Sequence, residues 1–134
     1  MQKVKVIIEK SKTGYAAYLP LIDGCVTTGG TIDELKYNMH EAIRFHREGM
    51  KKDGLAIPLD LKEPFELVFQ FDVETFLCFY DGIFTRRALS RLTGINESLL
   101  SQYANGIKHP RQVQVKKIEK GLHHLAKEIL QVSL

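Results

Sequence analysis

At Asp72 the hydrophobic repeat of this chain changes. Before it, short runs with apolar residues at every second position flank one stretch of helical spacing; after it, the spacing is every third or fourth throughout. A period of two sends alternate side chains to opposite faces of a strand, whereas a period near 3.6 keeps them on one side of a helix. A chain that switches period in this way is neither a plain helical bundle nor a plain β-sandwich. The switch predicts an α+β module over residues 1–72 and an all-α module over 73–134. A length of 134 residues suits two modules of that size.

In the first module Val4, Val6 and Ile8 mark a strand with one buried face. Ser11-Lys12-Thr13-Gly14 reads as a turn, with Gly14 free to take positive φ. Tyr15 to Leu19 reads as a second strand, stopped by Pro20, and Ile22 to Thr28 as a third, broken by Gly29-Gly30. Thr31 and Glu34 then have the spacing of a capping box. The helix they open carries Ile32, Leu35, Met39, Ala42, Ile43 and His46 on one side, with Gly54 shortly past its end. A loop punctuated by Pro58 and Pro64 leads to a fourth strand, in which Phe65, Leu67, Phe69 and Phe71 alternate with other residues. The predicted order is therefore βββαβ, a sheet with one packed helix.

The second module reads as helices throughout. Val73, Phe76, Leu77 and Tyr80 form a short one ending at Gly82. Thr85 caps a helix over Arg86–Thr93, Gly94-Ile95 turn the chain, and Asn96 caps the next helix, which closes at Asn105-Gly106. A last helix carries Val115, Ile118, Leu122, Leu125 and Ile129. This stripe serves either the core of the module or contact with a second copy.

Charge divides where the period does. Residues 1–72 hold ten Lys/Arg against eleven Asp/Glu, and residues 73–134 hold nine against five. The net +3 of the chain thus averages −1 and +4. From residue 85 onward nine basic residues face three acidic ones, which points to a polyanionic partner.

Thr85 to Gly106 forms a helix, a tight Gly turn and a second helix, the layout of a helix-turn-helix. Ala88, Leu89, Leu92, Ile95, Leu99 or Leu100, and Tyr103 are available for its seam. Glu97, Ser98, Ser101 and Gln102 remain on the outer side of the second helix. Hydroxyls and amides there suit base edges, and Gln suits adenine. Glu97 has two readings of equal weight, a base contact or favourable interaction with the helix dipole. Arg86, Arg87, Asn105, Lys108 and Arg111 flank that helix, where phosphate contacts lie.

Gly94-Ile-Asn-Glu-Ser-Leu-Leu-Ser-Gln-Tyr103, closing with Ala104-Asn105-Gly106, resembles the turn and recognition helix of the lambda-repressor-like (XRE) family. The resemblance implies phosphate contacts by Arg86, Asn105 and Lys108 and base contacts by Glu97, Ser98 and Gln102. Ala104 and Glu97 depart from that family's usual Glu and Gln. Residues 19–43 resemble the signature of the HicB antitoxin family through Leu19, Pro20, Gly24, Cys25, Gly30, Thr31, Asn38, Glu41 and Ala42. Leu21-Ile22-Asp23 stand inserted between Pro20 and Gly24, where that family runs nearly straight on. This second resemblance implies a truncated ribonuclease-H-like sheet in residues 1–72. It also implies a HicA-like toxin partner that cleaves mRNA, and repression of the shared operon by a homodimer or higher homo-oligomer on double-stranded operator DNA. Asp23 is the candidate toxin contact.

Enzymatic chemistry is not expected. No strand centre offers the inward carboxylates of a two-metal site. His123 and His124 are adjacent, so a helix points them apart, and Cys25 and Cys78 are isolated. No catalytic residue, metal site or cofactor is assigned. The two cysteines read as reduced thiols, and with no signal peptide or membrane span the chain reads as cytoplasmic. The alternative functional reading is a stand-alone transcription regulator whose first module senses a small ligand. A metal-dependent nuclease is a further rival. The reading adopted is an antitoxin that also represses its own operon.

Overall fold

A computed structural model describes all residues from Met1 to Leu134. The chain separates into two compact units, Met1–Asp72 and Val73–Leu134. The protein is α+β: a four-stranded mixed sheet with its helix comes first, and further helices follow.

The first unit contains β1 (Gln2–Lys10), β2 (Tyr15–Tyr18), β3 (Val26–Gly29), α1 (Ile32–Lys52) and β4 (Phe65–Gln70). The sheet order is β3-β2-β1-β4, with β4 parallel to β1 and the other pairs antiparallel. A parallel pair needs a long crossover, and the segment containing α1 supplies it. Val4 lies opposite Leu67, and Ile8 opposite Ala17. These residues and Val6 form the buried face of the sheet. From α1 come Leu35, Met39 and Ile43, all nearly inaccessible. Each such side chain contributes about 1.5–3 kcal/mol by leaving water.

Half of the capping box closes as its spacing requires, while the reciprocal bond from Glu34 goes to the N–H of Gly30, one residue before the N-cap. The Thr31 hydroxyl accepts from the Glu34 N–H at 3.1 Å, and the Glu34 carboxylate accepts from the Gly30 N–H at 3.3 Å. The Asn38 amide donates to the Thr28 carbonyl at 2.9 Å and ties α1 to β3.

Three expectations need correction in this unit. β3 begins at Val26 rather than Ile22, because residues 19–25 fold into a turn. There the Leu19 N–H donates to the Cys25 carbonyl at 3.0 Å and the Ile22 N–H to the Leu19 carbonyl at 3.2 Å, while Gly24 has φ of +79°. Ile22 and Cys25 are buried beneath that turn, so their apolar character serves the core rather than a strand. Gly14 does not take positive φ; the Ser11 N–H closes its turn on the Gly14 carbonyl at 2.9 Å. Finally, the loop before β4 contains a 3-10 turn, Leu59–Leu61, which buries Leu61.

The second unit contains α2 (Val73–Phe79), α3 (Arg86–Thr93), α4 (Glu97–Ala104) and α5 (Gln112–Leu130). Its core joins Leu77, Leu89, Ile95, Leu100, Tyr103, Ala104 and Ile118, with Leu99 and Leu122 packed at the margin. Of the adjacent leucines, then, Leu100 is the core residue. α5 crosses α3 very closely at Gly121, where a Cβ would stand 2.5 Å from the Leu92 carbonyl oxygen. The α5 stripe serves this core through Ile118 and Leu122 but not at its C-terminal end. Ile118 is buried, whereas Ile129 is 57% exposed.

Candidate functional site

The α3–α4 segment is fixed by its ends. The Thr85 hydroxyl accepts from the Ala88 N–H at 3.0 Å, and the Asn96 side-chain oxygen accepts from the Leu99 N–H at 2.7 Å. Each bond satisfies a donor that the first turn of a helix leaves unpaired. Between the helices Gly94 sits at φ +76°, ψ 8°, a left-handed conformation that a side chain would strain. The buried Thr93 hydroxyl adds a second lock. It donates to the Leu89 carbonyl at 2.7 Å and accepts from the Ile95 N–H at 3.2 Å. Thr93 therefore holds the backbone on both sides of the turn, a role that apolar spacing does not disclose.

On α4, Glu97, Ser98, Ser101 and Gln102 fall at positions one, two, five and six. Successive turns therefore bring them to one face. Leu100, Tyr103 and Ala104 occupy the buried face. Glu97 and Ser98 are exposed, while Ser101 and Gln102 are half-buried at the edge of the face. Ala104 is packed into the core, and the Cys78 thiol lies 3.8 Å from its carbonyl oxygen. A carboxylate in place of Ala104 would be taken out of water at considerable cost.

The flanking cations differ in their freedom. Arg87, Lys108 and Arg111 are exposed, as is Asn105, which follows the last turn of α4. Arg86 is half-buried and pairs with Asp81 at 3.5 Å. Arg111 precedes α5 and makes no side-chain capping bond. After α4 the chain reverses tightly, with the Ile107 N–H donating to the Gln102 carbonyl at 2.9 Å. Ile107, which the charge pattern does not flag, is left 67% exposed beside these cations.

In the first unit Asp23 is exposed on the 19–25 turn, next to the half-exposed Leu21. The inserted Leu21-Ile22-Asp23 therefore forms part of a turn rather than a strand, with Leu21 and Asp23 outward and Ile22 buried. Two aromatic residues of α1, Tyr37 and Phe45, are also strongly exposed. They stand off the apolar stripe, so helical spacing gives no notice of them.

Burial raises the Cys25 thiol pKa, and burial likewise raises that of the Tyr80 phenol. Both cysteines are free. No group of three or more His, Cys, Asp or Glu side chains is placed to hold a metal ion. His40 stacks on Phe65 at 5.5 Å, and His46 meets the edge of Phe45 at 5.8 Å. No helix is long and apolar enough to cross a membrane.

The family described as HicB-like antitoxin of bacterial toxin–antitoxin systems matches residues 4–70. An uncharacterised 14.9 kDa protein of Haemophilus phage HP1 is 42% identical over 53 residues, spanning 40% of this chain and 40% of the phage protein. A UPF0150 protein of Helicobacter pylori is 36% identical over 40% of this chain and 74% of its own length. The UPF0150 protein Ta0767 of Thermoplasma acidophilum is 42% identical over 46% of this chain and 90% of its own length. No solved structure matches significantly.

Proposed function

The chain belongs to the HicB-like antitoxins of bacterial toxin–antitoxin systems, and from that membership we propose that it both neutralises a toxin and represses its own operon. Residues 1–72 bind a HicA-like mRNA ribonuclease and cover its active site. Residues 73–134 form a helix-turn-helix that docks α4 in the major groove of operator DNA. The protein has no catalytic role of its own in this scheme.

The observation that carries the DNA-binding half is the α3–Gly94–α4 geometry, with two side-chain caps and a polar outer face on α4. In this reading Gln102, Ser98, Ser101 and Glu97 contact base edges, and Arg86, Arg87, Asn105, Lys108 and Arg111 contact phosphates. The Arg86–Asp81 pair does not oppose that role. Asp81 is 71% exposed and the pair is open to solvent on that side, where ion pairs contribute about 0–1 kcal/mol, so a phosphate can displace Asp81. A homodimer presents two α4 helices to half-sites about one helical turn apart. The exposed Ile129 and Leu130 at the end of α5, with Val132 just past it, support such an assembly.

Two measurements test the proposal. Co-expression should rescue cells from a cognate HicA-like toxin, and the two proteins should co-purify; a toxin that stays lethal and unbound defeats the antitoxin reading. Gln102→Ala should weaken operator binding by about 1–3 kcal/mol while leaving random duplex nearly unaffected. Arg86→Ala should weaken both and flatten the salt slope by about one. Equal losses on both duplexes for Gln102→Ala would remove its base-reading role.

A further inference from the structure

The outer side of α1 leaves two large aromatic side chains in water. Tyr37 is 67% exposed and Phe45 74%, although the helix buries its own stripe almost completely. The solvent side of such a helix ordinarily carries charged and polar residues. Asp33, Tyr37, Glu41 and Phe45 follow at four-residue intervals, so each side chain lies beside the next along the helix surface. Arg44 and Glu48 border the same strip.

The charge on the strip that holds the aromatics is mainly acidic. Asp33, Glu34, Glu41 and Glu48 surround them, against Arg44, which is itself paired with Glu41. Lys36 is exposed and makes no ion pair, Arg47 is turned to Glu63 at 3.1 Å, and Lys51 and Lys52 come only in the last turn. Aromatic anchors within a charged rim are the usual anatomy of a protein-binding surface. The uncovered face of the sheet is different. Val26 and Val68 are exposed there, but Lys3 and Lys5 are balanced by Glu9 and Glu66.

We propose that the Asp33–Glu48 face of α1 is the docking surface for a basic, RNA-binding protein, with Tyr37 and Phe45 as anchors and the carboxylates engaging the partner's cations. This inference rests on the antitoxin reading, which makes the partner an RNA-cleaving toxin. Such an enzyme holds its substrate with cations directed at phosphates. Carboxylates on α1 compete for the same cations, so binding and exclusion of RNA become one event. Opposite charge also speeds the encounter.

The test uses this 134-residue chain and a cognate HicA-like toxin, with Kd and rates measured at low and high salt. Tyr37→Ala and Phe45→Ala should each weaken binding by about tenfold or more, chiefly through faster dissociation. Tyr37→Phe should retain most of the affinity. Glu41→Lys combined with Glu48→Lys should slow association and flatten its salt dependence. Val26→Ala and Val68→Ala on the sheet should leave Kd within about twofold of the parent, as contacts outside a hot spot do. Because the altered α1 positions are solvent-facing, circular dichroism and Tm should stay near the parent's. If the parent chain binds and every α1 variant binds equally well, the surface is wrong while the antitoxin reading survives. Loss confined to the sheet variants moves the partner to the sheet and overturns the proposal. A parent chain that does not bind the toxin overturns both.

Discussion

Gly49 and Gly121 are both interior helix glycines, yet they are opposite in kind. A Cβ at Gly49 meets nothing within 4 Å, whereas one at Gly121 would stand 2.5 Å from the Leu92 carbonyl oxygen and 3.0 Å from its carbon. Alanine is a better helix former than glycine by about 1 kcal/mol. Gly49→Ala should therefore stabilise the first unit by up to roughly that amount. Gly121→Ala should destabilise the second by about 1–3 kcal/mol, because α5 must lift from α3. Urea unfolding of the two variants checks this, and a stabilised Gly121→Ala would refute the close crossing. Cys25 offers a second residue-scale prediction. It is 1% exposed, with its thiol 3.9 Å from the Met39 sulfur, whereas Cys78 is only half-buried. A mild alkylating agent should therefore label Cys78 first. Burial raises the Cys25 pKa, so the folded state favours the protonated thiol. Its contribution to stability is complete below the ordinary thiol pKa and is lost as pH rises through the raised value. Stability measured into alkaline pH should fall more steeply for the parent than for Cys25→Ala. Parallel curves would show that the thiol is not protected.

Helix ends were the most legible elements because their signals are local. Thr31, Thr85 and Asn96 each lie three residues before the N–H they satisfy, and each makes the expected bond. Asn96→Ala should cost about 1 kcal/mol and lower Tm, with Asn96→Asp retaining most of the difference. An unchanged Tm for Asn96→Ala would mean that packing alone holds the start of α4. Elements defined by distant partners were harder to read. The apolar run at Ile22–Thr28 has strand composition, but Pro20 and Gly24 curl its first half into a turn over the core. Period alone cannot distinguish a strand from a folded segment that buries the same residues. Nor does spacing choose between Leu99 and Leu100, since the choice depends on where Leu77 and Ile118 approach. The proposed base-reading face was legible as a group on α4. The half-burial of Ser101 and Gln102 and the Arg86–Asp81 pair were not, because both depend on neighbouring elements.

At the level of the whole molecule, the change of period, the change of charge and the division into compact units coincide at Asp72. Each unit has its own buried cluster: Leu35, Met39 and Ile43 of α1 with the sheet residues in one, and Leu77, Leu89, Leu100 and Ile118 in the other. If toxin binding belongs to the first unit and operator binding to the second, damage to one core should impair one activity before the other. Leu35→Ala and Leu100→Ala each remove a fully buried side chain, which costs about 2–5 kcal/mol. That loss is comparable to the entire stability of a unit of this size. Leu35→Ala should abolish rescue from the toxin while operator binding persists, and Leu100→Ala should do the reverse. Measuring toxin rescue and reporter repression on the same two variants, with soluble protein levels matched, decides the matter. Joint loss of both activities in either variant would mean that the two functions share one folding unit. Loss in opposite directions would assign the near-neutral module to the protein partner and the basic module to DNA, a division the small net charge of the chain conceals.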